Sequence, residues 1–184
     1  MKPIKVARPI KVVLIGNPNV GKSLLFSRLT GIGVIISNYP GATIELEHGR
    51  VCHDGVTLDL TDLPGIYSLD TMNPEERTVL DFIRSEKPDI VLNVADSTRL
   101  ERNLYLTLEI LELGVPVIMA LNMIDEAHAR GMEIDAQRLS ELLGIPVVPT
   151  SAQKGTGLDE LIHALFHPHI GKPRLTRYDR HIEN

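Results

Sequence analysis

The stretch Gly16-Asn17-Pro18-Asn19-Val20-Gly21-Lys22-Ser23 constrains this chain more than any other. It fits the pattern G-x-x-x-x-G-K-[ST]. An apolar run at 10–15 precedes it, and the helical spacing of Leu25, Phe26 and Leu29 follows. A loop in that context must curl tightly, and its end glycines remove the Cβ atoms that would block the curl. Its backbone N–H groups then converge inward, and the helix N-terminus behind them adds a favourable dipole. The pattern therefore predicts a phosphate cradle. Lys22 reaches the terminal phosphates, the Ser23 hydroxyl holds Mg²⁺, and Leu24 continues the contact surface into the helix.

The rest of the chain supplies a matching frame. Residues 44–51 and 56–61 read as strands joined across His53-Asp54-Gly55, a hairpin signal. Further strands are expected at 90–95, 115–121 and 146–148. Helices are expected from Pro74 to about Ser85, and over 100–113, 135–143 and 158–166. Residues 32–43 and 62–73 read as loops. After the hairpin, strands alternate with helices. This order predicts an α/β P-loop fold: a six-stranded, mostly parallel sheet with one antiparallel edge strand and helices on both faces. One domain is expected over 1–167. Residues 168–184, with Pro168, Gly171 and Pro173, read as a linker or the start of a further helical segment.

Ligands of such sheets bind outside the carboxyl ends of the strands, and the remaining motifs fall there. Asp62-Leu63-Pro64-Gly65 follows the strand at 56–61: the Asp62 carboxylate suits Mg²⁺ through a water, and Gly65 can donate its N–H to a γ-phosphate. Asn122-Met123-Ile124-Asp125 follows the strand at 115–121. A carboxylate at Asp125 can accept from N1–H and the 2-amino group of guanine, a pair adenine does not offer, so it discriminates between the bases. Asn122 is expected to tie its loop to the phosphate loop and contact the base edge. Ser151-Ala152-Gln153 follows the last strand, and the Ala152 N–H suits the guanine carbonyl oxygen. Gly41-Ala42-Thr43 lies in the first switch-like loop, and Thr43 resembles in place the GTP-sensing threonine of small GTPases, which implies that its hydroxyl would complete a Mg²⁺ shell only when a γ-phosphate is present.

These five elements, in this order, resemble the translation-factor-related GTPases over residues 10–167. Asn38-Tyr39-Pro40-Gly41-Ala42-Thr43, Asp62 to Leu69, Pro74-Glu75-Glu76 and the run Leu100 to Leu106 are similar to the FeoB family of prokaryotic ferrous-iron transporters. The resemblance implies a GTP-hydrolysing regulatory domain with Mg²⁺, at the cytoplasmic face of a membrane protein. Helical and permease domains would follow, and copies could associate through the switch regions. It also implies that Asn19 helps to hold K⁺ beside the phosphates. Asn19 as a loop-shaping residue only is the alternative reading. Catalytic roles then fall to Asn19, Lys22, Thr43 and Gly65. Ile66 stands where many GTPases carry a water-orienting glutamine and cannot hydrogen-bond water. Slow turnover is therefore expected, and a module without useful catalysis is conceivable. Met123 replaces a frequent lysine, so modest affinity and quick GDP release are expected.

Composition narrows the classes. A 43% share of hydrophobic residues supports a sizeable core, and a net charge of −5 disfavours a nucleic-acid-coating surface. An RNA-linked GTPase of ribosome assembly or tRNA modification is the alternative function, but it usually carries an appended basic domain. No apolar run reaches a bilayer's span, and residues 1–15 do not read as a signal peptide. The single Cys52 excludes an intrachain disulfide and reads as a half-buried strand residue. His163 and His167 share a helix face and read as surface residues rather than as metal ligands.

Overall fold

The computed structural model describes residues 8–31, 34–38, 45–69 and 73–168. Strand β1 (Ile10–Gly16) is followed by α1 (Lys22–Thr30), β2 (Ile35–Asn38), β3 (Glu45–His53) and β4 (Val56–Asp62). Then come α2 (Pro74–Glu86), β5 (Ile90–Asp96), a 3₁₀ turn at Ser97–Arg99 and α3 (Leu100–Glu112). The chain continues through β6 (Val117–Asn122), α4 (Ile124–Ala129), α5 (Ala136–Leu143), β7 (Val147–Pro149) and α6 (Leu158–Phe166).

The strands form one seven-stranded sheet in the order β2-β3-β4-β1-β5-β6-β7. Every pair from β4 to β7 is parallel, whereas β3 runs antiparallel to both β4 and β2. The expected count of six is thus corrected to seven, and the antiparallel strand lies one in from the edge. The added strand falls inside the expected loop at 32–43. Only four residues pair with β3, from Ile35 opposite His48 to Asn38 opposite Glu45. Ile35 and Ile36 are β-branched but adjacent and both exposed, so no alternation marks the strand. Helix α4 is likewise unannounced, being a six-residue turn nucleated at Met123.

The hairpin expected at 53–55 is present. Asp54 and Gly55 take φ of 48° and 79°, the paired positive angles of a tight primed turn. Cys52 beside it is exposed rather than half-buried, because it faces outward near the hairpin tip. Helix α2 begins as its sequence suggests: Pro74 occupies the first turn and the Asn73 side chain accepts from the Glu75 N–H at 3.0 Å.

Strand alternation divides the core into two layers. Val13 and Ile15 face α2 and α3, packing with Val79, Phe82, Ile83, Leu106 and Ile110. Val12 and Leu14 face α1 and α6, packing with Leu25, Phe26, Leu161 and Leu165. Central β5 is buried at all seven positions, as a doubly covered parallel strand should be. These layers fix the strand ends, and the strand ends carry the motif loops.

Candidate nucleotide site

The phosphate loop leaves β1 at Gly16 and enters α1 at Lys22. Its curl depends on two missing side chains. A Cβ on Gly16 would stand 2.4 Å from the Val94 carbonyl oxygen. One on Gly21, whose φ is 78°, would stand 2.5 Å from Asn122 Nδ2. Asn19 also takes a positive φ, 64°, and is exposed, and its amide makes no hydrogen bond among the described residues. Asn17 is buried, and its Oδ1 has no partner among the described residues. Pro18 lies against the second loop: a Cβ on Gly65 would meet Pro18 Cα at 3.0 Å, so a glycine is what lets the two loops touch.

Lys22, Ser23 and Asp62 converge across these loops. The Lys22 ammonium contacts Asp62 Oδ1 and the Leu63 carbonyl, and Ser23 Oγ donates to Asp62 Oδ2 at 2.9 Å. Lys22 and Asp62 are both buried, so each charge requires the other. A hydroxyl and a carboxylate this close are hard oxygen ligands of the kind Mg²⁺ takes, and the residues fit that ion. Leu63 and Ile66 are core side chains, both 2% exposed, while Ile66 N–H donates to the Gly16 carbonyl at 3.1 Å. Ile66 is therefore withdrawn from the loop surface altogether, where a glutamine would project.

The base end is built on Asn122. Its Nδ2 donates to the Val20 carbonyl at 2.8 Å. Its Oδ1 accepts from Ala152 N–H at 3.0 Å and Thr150 Oγ1 at 3.3 Å, and its carbonyl accepts from Ser97 Oγ at 2.5 Å. The buried amide thus joins the loops after β1, β6 and β7, including the tie to the phosphate loop expected from the sequence, and the residue's backbone carbonyl adds the loop after β5. The Ala152 N–H points at Asn122 Oδ1, so a base carbonyl there must share it. Met123 takes φ of 60°, and this residue turns the chain to present Asp125 in the first turn of α4.

Asp125 is mostly buried and lies 3.2 Å from Lys154 Nζ. A hydrogen bond from Ser151, then the Lys154 ammonium, hold its carboxyl below the usual range against the opposing effect of burial. Asp125 is therefore ionised at neutral pH and accepts only. Lys154 was not singled out from the sequence; a lysine two positions after Ala152, on the loop facing an acidic motif, is the signal that could have found it. The loop holding it is cross-linked by its own backbone, with Gly155 N–H on the Ser151 carbonyl at 2.7 Å and Ser151 bridged to Thr156.

Other expected residues contribute less. The Gln153 carbonyl accepts from Arg28 at 3.2 Å, and Leu24 is exposed on α1. Gly41, Ala42 and Thr43 lie outside the described residues. A cleft of about 340 Å³ beside the phosphate loop is lined by Asn17, Asn19, Asp96 and Arg102. A larger cavity of about 720 Å³ lies between the end of α2 and the outer sheet, near Ile35, Leu46 and Phe82, and contains none of the motif residues.

The model of the FeoB_N family, ferrous iron transport protein B, matches residues 10–165. The chain belongs to this family. It is 46% identical over 169 residues to the Fe(2+) transport protein A/Fe(2+) transporter FeoB fusion protein of Porphyromonas gingivalis, covering 91% of this chain. The match takes in only 20% of that relative, so the chain spans about a fifth of the curated FeoB proteins it resembles. Among solved structures, a GDP-bound variant of the S. thermophilus NFeoB superposes with a TM-score of 0.82 at 44% identity, over 89% of this chain and 63% of that one. The FeoB G-domain from Methanococcus jannaschii gives 0.79 at 42% identity, over 88% and 97%. The fold is that of the FeoB G-domains, a P-loop GTPase fold.

Proposed function

We propose that this chain binds GTP and GDP, hydrolyses GTP slowly, and acts as the regulatory domain of a ferrous-iron transporter at the cytoplasmic face of the membrane. The observation that carries the reading is the Asn122 amide. It ties the phosphate loop to the loop holding Ser151 and Ala152, and the backbone turns from it to an ionised Asp125. A phosphate cradle and a guanine-selective acceptor are thereby held in fixed relation.

The chain's own groups divide the work. Asp125 accepts from guanine N1–H and the 2-amino group, and adenine would leave it unpaired. The loop N–H groups and the Lys22 ammonium bind the phosphates, Lys22 leaving Asp62 as they enter. Ser23 and Asp62 would hold Mg²⁺, which supplies charge neutralisation on the phosphate oxygens when bound. Gly65 offers its N–H to the γ-phosphate. No side chain at position 66 orients water, so that task falls to backbone near Thr43, and slow turnover follows.

Asn19 is the residue for K⁺. It is exposed, it sits on the phosphate loop, and its amide is otherwise unused among the described residues. A cation held there offsets charge developing on the transferred phosphoryl group. The partners are a helical and a permease domain of the same transporter, and the segments at 32–43, which include β2, and 62–73 carry the nucleotide state to them or to a second copy. The family match gives no support to the RNA-linked alternative.

The test is GTP turnover in KCl and NaCl at equal ionic strength, for the wild type and Asn19→Ala. K⁺ is expected to raise wild-type turnover by about tenfold or more, and the substitution to abolish the difference. Equal turnover of the wild type in both salts would remove the K⁺ role, and no turnover in either salt would overturn the hydrolase reading.

A further inference from the structure

A bidentate contact outside the nucleotide motifs holds the second switch loop. Glu109, on α3, accepts from Ser68 Oγ with one carboxylate oxygen and from Leu69 N–H with the other, both at 2.8 Å. It stands beside buried Leu106 and Ile110, in a half-buried setting, and no cation lies within ion-pair distance of it among the described residues. The two switch donors are thus the groups that compensate its charge. About two turns earlier on the same helix, the Arg102 guanidinium lies over the Tyr67 ring at 4.4 Å.

These contacts bear on Gly65. The loop from Asp62 is pinned at its start by Leu63 N–H on the Leu14 carbonyl, at 3.2 Å, and by Ile66 N–H on the Gly16 carbonyl, at 3.1 Å. Beyond Ile66, polar anchoring passes to α3 through Tyr67, Ser68 and Leu69, while the Leu69 side chain joins the core. Gly65 itself lies between the Leu63 and Ile66 pins, and Glu109 holds the chain two and three residues beyond the second of them.

We propose that Glu109 is a positioning residue: by gripping Ser68 and Leu69, it sets the place from which the Gly65 N–H meets the γ-phosphate. This rests on the GTPase reading above. GDP has no γ-phosphate, so losing the grip weakens binding of the triphosphate and leaves that of the diphosphate intact. A merely structural role would lower both together.

The test compares affinities for GDP and a non-hydrolysable GTP analogue, with Mg²⁺, in the wild type, Glu109→Ala, Ser68→Ala, the double variant and Glu109→Gln. Thermal melts without nucleotide check folding. Glu109→Ala is expected to weaken the analogue about tenfold with GDP changed less than about twofold. Ser68→Ala gives a smaller loss that vanishes in the Glu109→Ala background. Glu109→Gln, which keeps an acceptor for Leu69 N–H, recovers most of the analogue's affinity. An unchanged ratio of the two affinities in Glu109→Ala, or additive single losses, overturns the proposal. Failure of the wild type to bind either guanine nucleotide instead sinks the GTPase reading beneath it.

Discussion

At the scale of single residues, the base site turns on the ionisation of Asp125. Its pKa is depressed by the Ser151 hydrogen bond first and by Lys154 second. The carboxylate that would meet guanine is therefore ionised through the ordinary carboxylate range as well as above it, and is lost only as pH falls through the depressed value. Lys154→Met removes one of the two causes, so GDP binding should fail at a higher pH on acidification than in the wild type. At neutral pH the loss should be small, about two- to fivefold, because the Lys154 side chain is 62% exposed and screened by water. Fluorescence titration of labelled GDP across pH measures both. The convergence of Lys22, Ser23 and Asp62 and the tie made by Asn122 were legible because each chemistry needs one residue type at one spacing. Lys154 and Glu109 were not: their roles arise from contacts made across 29 and about 40 residues of chain, which no local pattern encodes. The retreat of Ile66 into the core was half legible, since its inability to bind water is chemical but its burial is a matter of packing.

At the scale of elements, the strongly apolar strands and the amphipathic helices declared themselves, and the short pieces did not. Strand β2 has four residues and takes its definition from β3, and α4 has six and takes its from the Met123 turn. Both owe their conformation to neighbours more than to propensity. One contact between elements decides how closely α1 approaches the sheet. A Cβ on Gly49 of β3 would stand 2.3 Å from Thr30 Cγ2 and 2.7 Å from Thr30 Cβ, at the last turn of α1. Gly49→Ala is therefore expected to destabilise the fold by about 1–3 kcal/mol. Thr30→Gly in the same chain should recover part of that loss, and urea denaturation of the single and double variants checks it. The same insertion tilts α1, whose N-terminus supports the phosphate loop, so nucleotide affinity should fall alongside stability.

At the scale of the molecule, the seven-stranded sheet brings loops from four strands to one end, and buried Asn122 joins them into a single unit. Among the described residues, no helix is long and apolar enough to cross a membrane. The alternation of strands and helices made the fold class readable from the sequence, whereas the interior position of the antiparallel strand depended on β2. Guanine selectivity by an ionised Asp125 is tested by one binding experiment. Affinities for GDP, ADP and XDP are measured for the wild type and Asp125→Asn. The wild type should bind GDP at least about a hundredfold more tightly than ADP. The amide of Asp125→Asn can donate to the 2-carbonyl of xanthine, so preference should pass from GDP to XDP. Equal affinity of the wild type for GDP and ADP, or an Asp125→Asn variant that still prefers GDP, would show that Asp125 does not choose the base.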